Sequence, residues 1–311
     1  RRLSILDLSE QAHQPMTDRN QKYALCYNGE VYNYKELITQ YRLDSSSFHS
    51  TGDTEVLFNL LINHPQQILS SLNGMFAFAF WNEHTQSLLL ARDRYGQKPL
   101  YYYRTDEFIL FASEIRALLA STLVPRKIHP RGVLGYLAYG AVQEPDTIIA
   151  DICLLEPATA MTIGINTSPQ KYSFWNYPKE KSDLSNSDFR ELFKQAVHRH
   201  SISDAPIGLF LSGGIDSSAI VAAAARNQSS TIRTLSVAFP EQPELCESQQ
   251  AEKMAEWVGS HHQTVPITGT DMLNKIPHII KAMDQPTADA VNTYIVSYAA
   301  KQIGLKAALS G

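Results

Sequence analysis

The 311 residues are 44% apolar and 19% charged with a net charge of −4, which fits an ordinary soluble globular protein of about two domains. The mild acidity gives no reason to expect a nucleic acid or an anionic membrane as partner, and no apolar run approaches the roughly 20 residues that span a bilayer. The three cysteines, Cys26, Cys153 and Cys246, are odd in number and widely spaced. They form neither a metal pair nor a disulfide framework and fit a reducing, cytoplasmic setting. The start, Arg1-Arg2-Leu3-Ser4-Ile5, has no signal-peptide pattern.

Residues 1 to about 165 read as strand-rich. Tyr23–Tyr27, Gly74–Trp81, Ser87–Arg92 and Leu100–Tyr103 combine aromatic and aliphatic residues, with turn-prone Asn82-Glu83-His84-Thr85 between two of them. Helices are expected near 35–40 and over 54–63, where Val56, Leu57, Leu60 and Leu61 share one face. A strand at 108–112 precedes a helix at 114–119. Strands and helices come in groups, so this domain reads as α+β. Residues 166–187 are polar and proline-containing and read as a linker.

From residue 188 the pattern alternates: helix 188–200, strand 207–211, helix 217–227, strand 232–238, helix 247–258, strand 262–266, helices 270–282 and 291–303, strand 305–309. Such alternation predicts an α/β domain over 188–311, with a parallel sheet covered by helices and ligands at the carboxyl ends of its strands. Ser212 and Ser310 both fall at such ends.

The string Ser212-Gly213-Gly214-Ile215-Asp216-Ser217-Ser218 lies between the strand Ile207–Leu211 and a helix-forming run from Ala219. A glycine pair in that position lets backbone amides approach an anion, and the helix N-terminus adds partial positive charge. The serines offer hydroxyl donors, and Asp216 offers a carboxylate for a magnesium ion. The Gly-Lys-Ser/Thr ending of a P-loop is absent. The alternative is a plain turn with Asp216 or Ser217 as helix N-cap. The loop resembles the pyrophosphate loop of the ATP pyrophosphatase superfamily, which splits ATP into AMP and pyrophosphate.

Three further segments carry chemistry: Arg1–Asp7, Tyr27–Asn33 and Gly52–Glu55. An α-amino acid needs a cation for its carboxylate, which Arg2 supplies, and carboxylates for its ammonium, which Glu30 and Asp53 supply. Asn28 and the Gly29 N–H suit a developing oxyanion at an amide carbonyl. Each has a plain alternative: Asp53 as helix N-cap, Asn28-Gly29 as a hairpin turn, Arg2 as a solvated charge. Periodicity alone does not bring the segments together.

With Leu72–Ala79, Ala91–Tyr101 and Ala112–Ile115, these segments resemble the class II glutamine amidotransferase domain of glutamine-hydrolysing asparagine synthetases. The Ser212–Ser218 loop, Ser236–Phe239, Asp284–Thr287 and Leu309-Ser310-Gly311 resemble the synthetase domain of the same family, in the same order. The resemblance implies an Ntn-hydrolase-like αββα sandwich followed by an ATP-pyrophosphatase, Rossmann-like sheet. It implies glutamine hydrolysis in the first domain and a tunnel for the ammonia. In the second it implies activation of aspartate by Mg-ATP as β-aspartyl-adenylate, then amination to asparagine. Arg2, Asn28, Gly29, Glu30 and Asp53 would bind glutamine, with Asn28 and Gly29 as oxyanion donors. Leu211, Ser212, Gly213, Gly214, Asp216, Ser217, Ser218, Val237, Ser310 and Gly311 would bind ATP, with Asp216 as magnesium ligand. Residues 284–294 would line the acceptor pocket. The partners implied are small molecules, and a homodimer is compatible with the family.

The family's nucleophile is an N-terminal cysteine, expected upstream of Arg1, and both ends of the chain read as cut from a longer protein, so the piece alone is expected to be inactive. Cys26 lies within a strand just before Asn28 and reads as a small core residue. His261-His262 reads as a loop-to-strand junction. A different acceptor (a sugar, a peptide or a β-lactam precursor) and a non-catalytic binding relative are the competing readings.

Overall fold

The computed structural model describes residues 5–165, 167–179, 183–227, 231–242 and 246–310. It divides into two compact units, Arg1–Lys179 with Asp284–Thr287, and Glu180–Met283 with Ala288–Gly311.

The first unit contains, in chain order, β1 (Met16–Thr17), β2 (Tyr23–Val31), α1 (Tyr34–Gln40), α2 (Asp53–Asn63), β3 (Gly74–Asn82), β4 (Ser87–Arg92), β5 (Tyr101–Arg104), β6 (Ile109–Ala112), α3 (Ile115–Ala120), α4 (Pro130–Tyr139), β7 (Ile152–Leu154), β8 (Thr159–Gly164) and β9 (Gln170–Ser173). One antiparallel sheet has the order β1-β2-β3-β4-β8-β9 and a smaller one β6-β5-β7. Alternation along β3 explains the layering. Phe76, Phe78 and Phe80 bury one face against Leu37 of α1 and Val56, Leu57, Leu60 and Leu61 of α2. The small residues Ala77 and Ala79 face the other way, onto a core with Leu90, Leu100, Leu155 and Met161 that reaches Tyr102 and Phe111 of the smaller sheet. Tyr101, Ile152 and Leu154 on that sheet's far side pack on Ile115 and Leu118 of α3. The result is helix, sheet, sheet, helix, an αββα sandwich. Each fully buried Phe or Leu contributes about 1.5–3 kcal/mol.

Strands β1, β7 and β8 are not among the expected strands, and two further features differ from expectation. Helix α4 was not anticipated, although it starts on Pro130 and ends on Gly140 in the left-handed region at φ 72°. Its Leu134, Leu137 and Tyr139 are exposed, so no buried stripe advertised it. Strand β9 lies inside the span read as a linker. It is a polar, mostly exposed edge strand paired with β8, and polar edge strands read like linkers.

The second unit contains α5 (Asn186–His200), β10 (Ile207–Phe210), α6 (Ile215–Asn227), β11 (Arg233–Ala238), α7 (Ser248–Val258), β12 (His261–Pro266), α8 (Gly269–Ala282), α9 (Ala290–Gln302) and β13 (Ala307–Leu309). Its sheet is parallel, in the order β12-β11-β10-β13. One face buries Leu209 and Leu211 under Val197 of α5, Val221 and Ala224 of α6 and Ala251 and Ala255 of α7. The other buries Leu235 under Ala299 and Ala300 of α9. Coverage on both faces is why β10 reads as an uninterrupted apolar run. Among the described residues no helix is long and apolar enough to cross a membrane.

Candidate active sites

In the first unit the pairing of β2 with β3 sets Asn28 opposite Ala77, Gly29 opposite Phe76 and Glu30 opposite Met75. Asn28 and Gly29 are therefore strand residues and not a hairpin turn. A Cβ on Gly29 would stand 2.2 Å from the Met75 carbonyl oxygen and 2.7 Å from Phe76 Cα, so the close backbone approach requires glycine. The Asn28 Nδ2 donates to Ser113 Oγ at 3.2 Å.

Asp53 does not cap its own helix. Gly52 occupies the N-cap, and Asp53 opens the first turn of α2, where its carboxylate turns to β2. It accepts from the Tyr27 hydroxyl at 2.6 Å and the Val31 amide at 2.7 Å, and is 2% exposed. Glu30 is likewise buried, and its Oε1 has no hydrogen-bond partner. Burial first, and the Asp53 carboxylate second, push the Glu30 carboxyl up to about 7, with Lys98 partly opposing them. A buried carboxylate pair with an orphaned oxygen suits a cationic group of a ligand.

Two anchors bring the remaining segments in. Asp7 accepts from the Thr51 amide at 2.8 Å and from the Ser9 amide and hydroxyl at 3.0 and 2.6 Å, tying the first segment to the start of α2. Burial raises the Asp7 carboxyl, but these hydrogen bonds outweigh it and leave it below its ordinary value. Asp93 accepts from the amides of Phe76, Tyr95, Gln97 and Lys98 and so shapes the loop that carries Lys98. The neighbouring Arg92, 3% exposed, grips Glu144 at 2.9 and 3.1 Å and the carbonyls of Gly96, Lys98 and Leu155. Arg2 lies outside the described residues.

Burial raises the Cys26 thiol, the opposite of what a nucleophile needs. Cys26 lines a cavity of about 640 Å³ with Trp81, Phe108 and Ile163, which none of Asn28, Gly29, Glu30 and Asp53 lines. The chemistry-bearing residues are thus not in this cavity. Asp284 accepts from the Ile115 and Arg116 amides at 2.6 and 2.9 Å, and Gln285 Oε1 from the Ile148 amide at 2.9 Å, so both side chains are taken up within the first unit. Ser113 and Tyr27, which hold Asn28 and Asp53, fall within segments that carry the family resemblance, but no local pattern marks them as hydrogen-bond partners, because the contacts cross 85 and 26 residues of sequence.

In the second unit the order of strands reverses at β10: successive strands β11 and β12 extend to one side, and β13 lies on the other. The loops after β10 and β13 flank that crevice, the usual ligand position in such sheets. Ser212 and Ser310 follow these strands, and Val237 lies near the carboxyl end of β11. The Leu211 amide donates to the Leu235 carbonyl at 2.8 Å, completing the strand. Gly213 adopts φ +88°, and a Cβ there would stand 2.7 Å from Gln250 Cβ and 3.0 Å from the Ala251 amide nitrogen of α7. Ser217 is buried, and its hydroxyl links the Ser212 amide at 3.2 Å, the Ser212 hydroxyl at 3.0 Å and the Gly214 carbonyl at 3.3 Å. The loop is held from within, with Ser212, Ile215 and Asp216 exposed. Gly311 lies outside the described residues.

The donor set fits a polyphosphate: a glycine turn at a helix N-terminus with the exposed Ser212 hydroxyl, the half-buried Ser218 hydroxyl and one exposed carboxylate at Asp216. A magnesium ion bound largely through phosphate oxygens needs only one or two carboxylates. Among the described residues no cluster of three His, Cys, Asp or Glu side chains has metal-binding geometry. The His262 Nδ1 meets Thr234 Oγ1 at 2.9 Å and its Nε2 meets Ser236 Oγ at 3.1 Å, so hydroxyls engage both ring nitrogens.

Residues 1–175 match the family of glutamine amidotransferase domains and residues 188–311 the asparagine synthase family. Asparagine synthetase [glutamine-hydrolyzing] 1 of Bacillus subtilis is 34% identical over 100% of the chain and 49% of its own length. Asparagine synthetase [glutamine-hydrolyzing] 3 of the same organism is 34% identical over 92% of the chain and 50% of its own length. A protein of Gibberella zeae named amidase chry2 is 28% identical over 100% of the chain and 49% of its length. The chain spans about half the length of these curated relatives.

Proposed function

We propose glutamine-dependent amide synthesis for this chain, which belongs to the glutamine-hydrolysing asparagine synthetase family. The protein takes the amide nitrogen of glutamine as ammonia and transfers it to aspartate, activated by ATP as β-aspartyl-adenylate. The observation that carries the reading is the buried Glu30–Asp53 pair beside Asn28 and Gly29 on one strand. Glu30 and Asp53 receive the glutamine ammonium, and Arg2 receives its carboxylate. Asn28 Nδ2 and the Gly29 amide donate to the carbonyl oxygen as attack turns it into an oxyanion. The relatives' length leaves room for the nucleophile and for further catalytic groups outside these residues.

In the second unit the Ser212–Ser218 loop holds the phosphates of ATP through backbone amides and hydroxyls. Val237, Leu211, Ser310 and Gly311 contact the nucleotide. Asp216 would hold a magnesium ion, which would supply positive charge to a departing pyrophosphate. The fixed amides and helix dipole favour that leaving group without a general base.

A second reading keeps both half-reactions and changes the acceptor. It draws support from the relative named amidase chry2, 28% identical over the whole chain, whose name is not that of an asparagine synthetase. Pyrophosphate release by the protein at its full length, with Mg-ATP and ammonium or glutamine, separates the two. Release that requires aspartate supports asparagine formation. Release that ignores aspartate but requires another carboxylic acid supports the second reading.

A further inference from the structure

We propose that Ser113 is a positioning residue for Asn28, and that Asp284 holds the turn carrying Ser113. The inference rests on the glutaminase reading above and names contacts of that site that no local pattern in the sequence marks. The Asn28 backbone is fixed by its ladder with β3. Its amide plane is not, because the terminal torsion of asparagine is broad and soft. The hydrogen bond from Nδ2 to Ser113 Oγ at 3.2 Å supplies the missing constraint. It occupies one N–H of Nδ2 and leaves the other for a carbonyl oxygen that gains charge during attack.

Ser113 in turn is clamped. It follows Ala112, which pairs with Tyr101 in the smaller sheet, and is separated from α3 by one residue, Glu114. The first two amides of α3, on Ile115 and Arg116, donate to the two carboxylate oxygens of Asp284 at 2.6 and 2.9 Å. The Arg116 Nε adds a contact to Asp284 at 3.2 Å and one to Glu114 at 2.9 Å. A carboxylate on free amides at a helix N-terminus is a strong, charge-assisted arrangement. Asp284 lies 168 residues beyond Arg116 in sequence, so a remote segment fixes the turn between β6 and α3. The order of dependence is Asp284, then the 113–116 turn, then the Asn28 amide.

The test is steady-state glutamine hydrolysis by the protein at its full length, as wild type, Ser113→Ala, Ser113→Thr, Asp284→Asn and the double variant Ser113→Ala/Asp284→Asn. Losing one oxyanion donor costs roughly 100- to 1,000-fold in kcat, so misorienting one is expected to cost about 10- to 100-fold. Ser113→Ala should lower kcat by that factor with KM for glutamine within about twofold, and Ser113→Thr, which keeps the hydroxyl, should recover most of it. Asp284→Asn should lower the same kcat less, and the double variant should fall no further than Ser113→Ala, because both act through one hydroxyl. A kcat for Ser113→Ala within about twofold of wild type, or effects that multiply in the double variant, would overturn the proposal while leaving the glutaminase reading in place. Absence of hydrolysis in the wild type would overturn that reading, and the proposal with it.

Discussion

The Tyr27 hydroxyl donates to Asp53 Oδ2 at 2.6 Å, joining the middle of β2 to the first turn of α2 in a buried site. Burial and the Asp53 charge, in that order, push the Tyr27 phenol well above its ordinary value, so it stays a donor across the working pH range. Tyr27→Phe deletes the donor with almost no change of shape. Hydrogen bonds to charged groups contribute about 1.5–3 kcal/mol, and a loss of that size is expected in urea unfolding. An unchanged midpoint would mean the carboxylate is satisfied without Tyr27.

Glu30 gives the site a pH signature. Its carboxyl rises from an ordinary 4.5 to about 7 on folding, so between these values the folded protein holds more protons than the unfolded chain. Stability from this group is therefore fully present below 4.5, falls as pH rises toward 7, and is flat above. Glu30→Gln should remove that slope and stabilise the protein at pH 8 by on the order of 3 kcal/mol, since a pKa unit is about 1.4 kcal/mol. Binding runs the other way. An ammonium needs the ionised carboxylate, so KM for glutamine should fall as pH rises through about 7, and the Gln variant should lose that dependence. Parallel unfolding curves and glutamine kinetics against pH check both signs.

Gly213 is constrained twice, by φ +88° and by contact with α7. The left-handed backbone costs a residue with a Cβ roughly 1–2 kcal/mol, and the Ala251 backbone nitrogen at 3.0 Å cannot swing aside as a side chain would. Gly213→Ala should displace the loop and raise KM for ATP by at least about tenfold, with glutamine hydrolysis retained. Titration with a fluorescent ATP analogue reads the change directly.

Elements with a strong period were legible. The β3 run of alternating Phe and Ala, the Val56-Leu57-Leu60-Leu61 face of α2 and the alternation of the second half all appear where the pattern places them. Strand β9 and helix α4 were not, because one is a polar edge and the other exposes its apolar residues. At the sites, the glycine-rich loop announced itself by local spacing. The grouping of Asn28, Glu30 and Asp53 came from family resemblance, because only the docking of α2 on β2 brings these segments together. Ser113 and Asp284 were beyond reach of any local pattern, since the contacts that matter cross 85 and 168 residues of sequence.

The central claim is that nitrogen leaves glutamine at one site and enters an ATP-activated acceptor at another. Incubation of the protein at its full length with [amide-¹⁵N]glutamine, Mg-ATP and aspartate tests it in one step. The account predicts ¹⁵N in the asparagine side-chain amide, one per pyrophosphate released. Hydrolysis of glutamine and ATP without labelled asparagine would contradict it.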